Sequence, residues 1–232
     1  MGYSAVNALV VLIGRLTATK ALAQQTATLN SSAAPGRPWL DLAFQLVGIG
    51  FGVVPALLAL HLLRRDHDYP ATVLGLYPAQ PSFDLGAGAV LAALIGLPGL
   101  GFYVAAHAIG INAAVVPAAL PDVWWTVPVL LLAAAQNAIL EEVVVVGYLM
   151  TRLTQLGWAV PTMVTASALL RGSYHLYQGF GGFLGNAVMG VVFAVFYLRW
   201  KRVGPLILAH TILDAVAFVG YALFYDQLTF LH

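Results

Sequence analysis

Six ionisable residues stand inside otherwise apolar stretches of this chain: Glu141 and Glu142, Arg171 and His175, and His210 and Asp214. A charged side chain at mid-membrane costs about 2.5–3.5 kcal/mol on insertion scales, so residues of this kind need a reason to be there. Adjacent glutamates point about 100° apart on a helix, which predicts divided labour, one carboxylate acting on substrate while the other ties helices together. Arg171 and His175 are four residues apart, as are His210 and Asp214, a spacing that places each pair on one helix face. Faces of this kind meeting inside a bundle would enclose a water molecule, a carboxylate and two imidazoles, the equipment of hydrolysis. Proton relays in transporters use the same residue types, but such proteins usually show repeated halves or paired broken helices, and neither is evident in the sequence.

Other polar residues have plainer readings. A lone intramembrane histidine is often a hydrogen-bonding strut between helices, and His61 and His107 lack the company of His175 and His210. His61 precedes Arg64 and Arg65 at a helix end, and both it and His107 are expected at an interface. Asp41 and Gln45, one helical turn apart, read as structural, and Trp124, Trp125 and Trp200 as interface anchors.

The elements that must position these residues follow from composition. Of 232 residues, 61% are apolar and 8% charged, and mean hydropathy is +0.88. Several apolar stretches approach the length of about 20 residues that a helix needs to cross a bilayer, which defines an all-α, polytopic transmembrane bundle. A β-barrel would alternate instead. The net charge of +1 gives no basic surface for nucleic acid, and the absence of cysteine excludes disulfides and Cys-based zinc sites. About seven spans are expected, near residues 3–22, 39–63, 84–109, 123–153, 158–177, 183–198 and 205–228, with a loop over 24–38. Ala21-Leu22-Ala23 resembles a signal-peptidase site, but no Lys or Arg precedes the short apolar region before it, so a first membrane helix is the better reading. Arg64, Arg65, Arg152, Arg199, Lys201 and Arg202 fall on one side of this arrangement, and the positive-inside rule makes that side the cytoplasm, with His232 outside. Residues 1–122 are expected to contribute membrane spans and 123–232 the catalytic helical core, within one structural unit.

Three ordered motifs carry a family resemblance: Glu141-Glu142-Val143-Val144-Val145-Val146-Gly147-Tyr148, Arg171-Gly172-Ser173-Tyr174-His175, and His210-Thr211-Ile212-Leu213-Asp214. Together they resemble the CAAX protease and bacteriocin-processing (CPBP, or Abi) family over about 123–224. The resemblance implies an intramembrane endopeptidase in which Glu141 and His175 activate the hydrolytic water, while His210 and the residue at 214 stabilise the oxyanion. It implies a membrane-associated or lipidated peptide as substrate and a prokaryotic plasma membrane as location, with the active site nearer the cytoplasmic side.

This chain departs from the family pattern at three positions. Val146 stands where the first motif usually has arginine, Arg171 where the second usually has phenylalanine, and Asp214 where the third usually has asparagine. Arg171 is expected to pair with Glu142, moving the family's intrahelical ion pair between helices and leaving Glu141 free for water. The departures also admit a catalytically silent membrane scaffold or immunity-type protein. The family is often labelled metalloprotease, and Glu141, His175 and His210 are the candidate ligands of a catalytic zinc. Without a His-Glu-x-x-His spacing, a metal-free, glutamate-activated water is the preferred reading, and no cofactor is assigned.

Overall fold

The computed structural model describes residues 1–77 and 80–224. In chain order it comprises α1 (Gly2–Leu16), β1 (Thr26–Ser31), α2 (Pro38–Gly52), α3 (Val54–Leu63), α4 (Pro70–Val73), α5 (Pro81–Ala108), β2 (Ala114–Ala119), α6 (Thr126–Glu141), a π-helical segment (Glu142–Tyr148), α7 (Leu149–Gln155), α8 (Val160–Ser173), α9 (Phe180–Trp200) and α10 (Gly204–Phe224). Helices dominate as expected, and the chain is an integral membrane protein. Among the described residues five helices are long and apolar enough to cross a bilayer: Pro38–Leu63, Pro81–Ala108, Thr126–Gln155, Phe180–Trp200 and Gly204–Leu223.

Two of the seven expected spans are shorter than the sequence indicates. The first is the 15-residue α1. The fifth, expected over 158–177, is the 14-residue α8, whose rise of roughly 21 Å falls short of a hydrocarbon core of about 30 Å. The expected end of the last span near 228, and the placement of His232, lie outside the described residues. The expected loop over 24–38 contains β1, which pairs with β2 in a two-stranded sheet. Hydropathy alone missed this ribbon because β1 is built mostly of small and polar residues, and the apolar β2 is only six residues long and lies between two longer apolar stretches.

The chain packs as two compact units, each assembled from three stretches. In the first (1–27, 93–115 and 145–201), α8 lies against α9, and α1 packs on α8 and on the 3₁₀ turn Leu176–Gln178. Small residues let α8 and α9 approach closely, since a Cβ at Gly190 would come within 2.9 Å of the Ala168 Cα. Gly179 adopts φ 117°, a left-handed conformation that a side chain disfavours, and Asn112 sits against it, its Oδ1 accepting the Gly182 N–H at 2.7 Å at the start of α9.

In the second unit (28–92, 116–144 and 202–232), α6 packs along α10, with α2 and α3 also against α6. Ala118, Leu130, Ala134, Phe218 and Tyr221 form an apolar core there. The span Pro38–Leu63 breaks at Val53, where Pro55 in the first turn of α3 can donate no backbone N–H. Asp41 is buried in this unit and accepts the Ala33 N–H at 2.8 Å and the Gln45 amide at 3.3 Å, the structural role expected of it. Arg202 donates through Nε and Nη2 to the two oxygens of Asp84, each at 2.6 Å, and its Nη2 also reaches the Tyr77 carbonyl at 3.0 Å. That clasp fastens the loop between α9 and α10 to the start of α5. Trp124 is exposed, as an interface anchor would be, whereas Trp125 is buried and packs inward.

Candidate active site

The site grows from two stripes of residues at helical spacing. On α6, Leu130, Ala134 and Ala138 recur every four residues and are fully buried, and Glu142 continues the same series. On α10 the corresponding series is Leu206, His210, Asp214 and Phe218. The stripes run antiparallel: Phe218 shares a core with Leu130 and Ala134, Asp214 meets Asn137, and His210 meets Glu142. Alanines at 134 and 138 keep the surface low where the polar side chains of α10 arrive.

Glu142 is fully buried and opens the π-helical segment. Segments of this kind appear mostly as single turns within α-helices, frequently at functional sites. The His210 Nδ1 lies 2.6 Å from Glu142 Oε1 and its Nε2 lies 3.7 Å from Asp214 Oδ1, so each ring nitrogen faces a carboxylate. The i, i+4 relation read between His210 and Asp214 therefore holds. Asp214 also accepts the Asn137 amide, Nδ2 to Oδ2, at 3.5 Å. The order Glu142, His210, Asp214, Asn137 makes a continuous polar chain across the α6 and α10 interface.

Glu141 and Glu142 are less divided than their 100° separation implies. Ligand-type atoms of Glu141, Glu142 and His210 all lie within 4.8 Å of one another. Oxygen and imidazole donors suit zinc by type. One pair of donor atoms stands closer than two zinc ligands do. Two ligands on a tetrahedral ion with bonds near 2.0–2.2 Å stand about 3.3 Å apart, whereas 2.6 Å between Nδ1 and Oε1 is a hydrogen bond with the proton between them. As placed, these residues form a carboxylate–imidazole pair, and a cation would have to displace its proton.

Of the six residues singled out by sequence, Glu141, Glu142, His210 and Asp214 come together in the second unit, and Arg171 and His175 belong to the first. The helical face expected for Arg171 and His175 does not form, because α8 ends at Ser173 and His175 lies in the turn beyond it. Its ring packs on Tyr174 and Tyr177, with centroids 4.9 and 6.3 Å away, and its Nδ1 is 3.4 Å from the Gln178 amide. Arg171 is fully buried, its guanidinium 5.3 Å from the centre of the Phe193 ring, and so does not snorkel to an interface. Asn137 was not singled out by sequence, although a polar residue four before Glu141 in an apolar helix was a signal. A cavity of about 390 Å³ lined by Leu57, His61, Arg64, Asp68 and neighbouring residues contains none of the site residues.

A helical membrane protein with a buried carboxylate–imidazole chain in its spanning segments is thus the class this fold and site define. Residues 123–216 match the model of the Rce1-like family, the type II CAAX prenyl endopeptidases. The match, over about two fifths of the chain, supports the resemblance to CAAX/CPBP intramembrane proteases. No curated protein and no solved structure matches the chain.

Proposed function

We propose that this protein is an intramembrane endopeptidase that cleaves a peptide bond in a membrane-associated or lipidated substrate. The observation that carries the reading is the group of Glu141, Glu142 and His210, the last two buried, in spanning helices within the segment that the family match covers. Glu141, the less buried of the two carboxylates, takes a proton from a water molecule as its oxygen attacks the scissile carbonyl. The carbonyl π electrons move to oxygen, and donors in the site hold the oxyanion. Collapse of the intermediate expels the amine, which receives the proton from Glu141, leaving a new carboxylate and a new amino terminus. His175 assists Glu141 in this scheme, on the resemblance. Glu142 holds His210 by the 2.6 Å contact and Asp214 orients it from the other side. No step is routed through a metal.

The site opens toward the cytoplasmic side in this reading, which rests on the placement of Arg64, Arg65 and Arg152. Incubating the purified protein with a peptide library, with and without a prenylated cysteine four residues from the C-terminus, tests the activity and the substrate class together. Cleavage at internal bonds is expected, faster for the lipidated peptides. No cleavage of any peptide, with the protein folded, contradicts the proposal.

A further inference from the structure

We propose that Asn137 is a donor to the oxyanion, an inference that rests on the endopeptidase reading above. Charge developing on a carbonyl oxygen requires N–H or O–H groups aimed at it. Among these residues only His210 and Asn137 carry N–H donors, and the proton that Glu141 takes from water is committed to the leaving amine. Both nitrogens of His210 face carboxylates, Nδ1 toward Glu142 and Nε2 toward Asp214. His210 alone therefore offers the oxyanion little that is not already directed elsewhere. The Asn137 amide carries two N–H groups, and its contact with Asp214 Oδ2 uses one. That contact also fixes which end of the amide is which, because a carboxylate opposite Asn137 selects the NH₂ over the carbonyl. Asp214 is then the anchor of the donor as well as a neighbour of His210.

Position supports the assignment. Asn137 lies four residues before Glu141 on α6, so both share a face at an axial separation of about 6 Å. A carbonyl carbon and its attacking water fit between a base and an oxyanion donor at that spacing, each about 3 Å from its partner. A neutral amide also enters a membrane span at lower cost than a second cation.

The test uses the full-length protein and whichever peptide the wild type cleaves. Asn137→Ala is expected to lower kcat by about 10²–10³ with KM within about twofold, the signature of a donor used only in the transition state. Asn137→Asp, nearly isosteric, is expected to lose a similar factor. Asn137→Gln, which keeps the amide on a longer arm, is expected to retain more of kcat than either. Wild-type kcat in a folded Asn137→Ala or Asn137→Asp variant overturns the inference. Loss through a raised KM with kcat retained overturns it as well. A wild type that cleaves nothing instead overturns the endopeptidase reading, so the two failures are distinguishable.

Discussion

His210 on α10 meets Glu142, the first residue of the π-helical segment, at 2.6 Å between Nδ1 and Oε1, with the glutamate fully buried and the histidine nearly so. The contact lies where the buried stripes of α6 and α10 turn from apolar to polar, so it serves packing and chemistry at once. Removing one partner of a buried pair leaves the other uncompensated, at about 3–5 kcal/mol. Glu142→Ala is accordingly expected to lower the thermal midpoint in detergent markedly and to abolish cleavage. Glu142→Gln, which keeps an acceptor for the ring N–H, is expected to retain more of the stability than of the activity. Equal loss in both variants would show that charge, rather than the hydrogen bond, holds the helices.

The Arg202 and Asp84 clasp gives a stability prediction separate from catalysis. Both guanidinium contacts are 2.6 Å, and Arg202 is nearly buried. Arg202→Met is expected to destabilise by about 3 kcal/mol, and Arg202→Lys to recover only part, since lysine cannot match the two carboxylate oxygens in a fork. Thermal unfolding in detergent reads both; a lysine variant as stable as wild type would mean that the fork is not used.

Arg171 occupies a fully enclosed place beside Phe193, so its charge needs compensation within the protein. The pairing with Glu142 read from the sequence remains a proposal with a direct test. Arg171→Phe is expected to lower both thermal stability and cleavage, and adding Val146→Arg to recover much of the loss. A folded, fully active Arg171→Phe protein would exclude the pair.

Much of this was legible in the residues. The cost of charge in an apolar helix pointed to Glu141, Glu142, His210 and Asp214, and four-residue spacing predicted that His210 and Asp214 meet. Spacing failed for Arg171 and His175 because it assumes a continuous helix, and α8 stops at Ser173, before His175. The proximity of Glu141 and Glu142 to one imidazole was hidden because the 100° separation describes the directions of the Cα–Cβ bonds, and two long carboxylate side chains still converge on a third residue. The partner of Asp214 was hidden for another reason. Asn137 lies 77 residues away, and nothing local announces a contact made only when α6 and α10 align.

With Glu141 activating the water directly, cleavage is expected to need no cation. Activity is expected to survive dialysis against a strong chelator, with zinc in the purified protein well below one equivalent by elemental analysis. Loss of activity on chelation with recovery on adding zinc would show that the ion displaces the proton between Nδ1 and Oε1 and enters the Glu141, Glu142 and His210 group.

The central claim is that Glu141 activates the water, and a single variant addresses it. Glu141→Gln keeps the size and leaves the Glu142 and His210 pair in place, but an amide cannot accept the proton. With protein reconstituted in liposomes and a lipidated peptide cleaved by the wild type, the variant is expected to fold, bind the peptide with unchanged affinity and lose at least about 10³ in kcat. Wild-type turnover by Glu141→Gln would contradict the account.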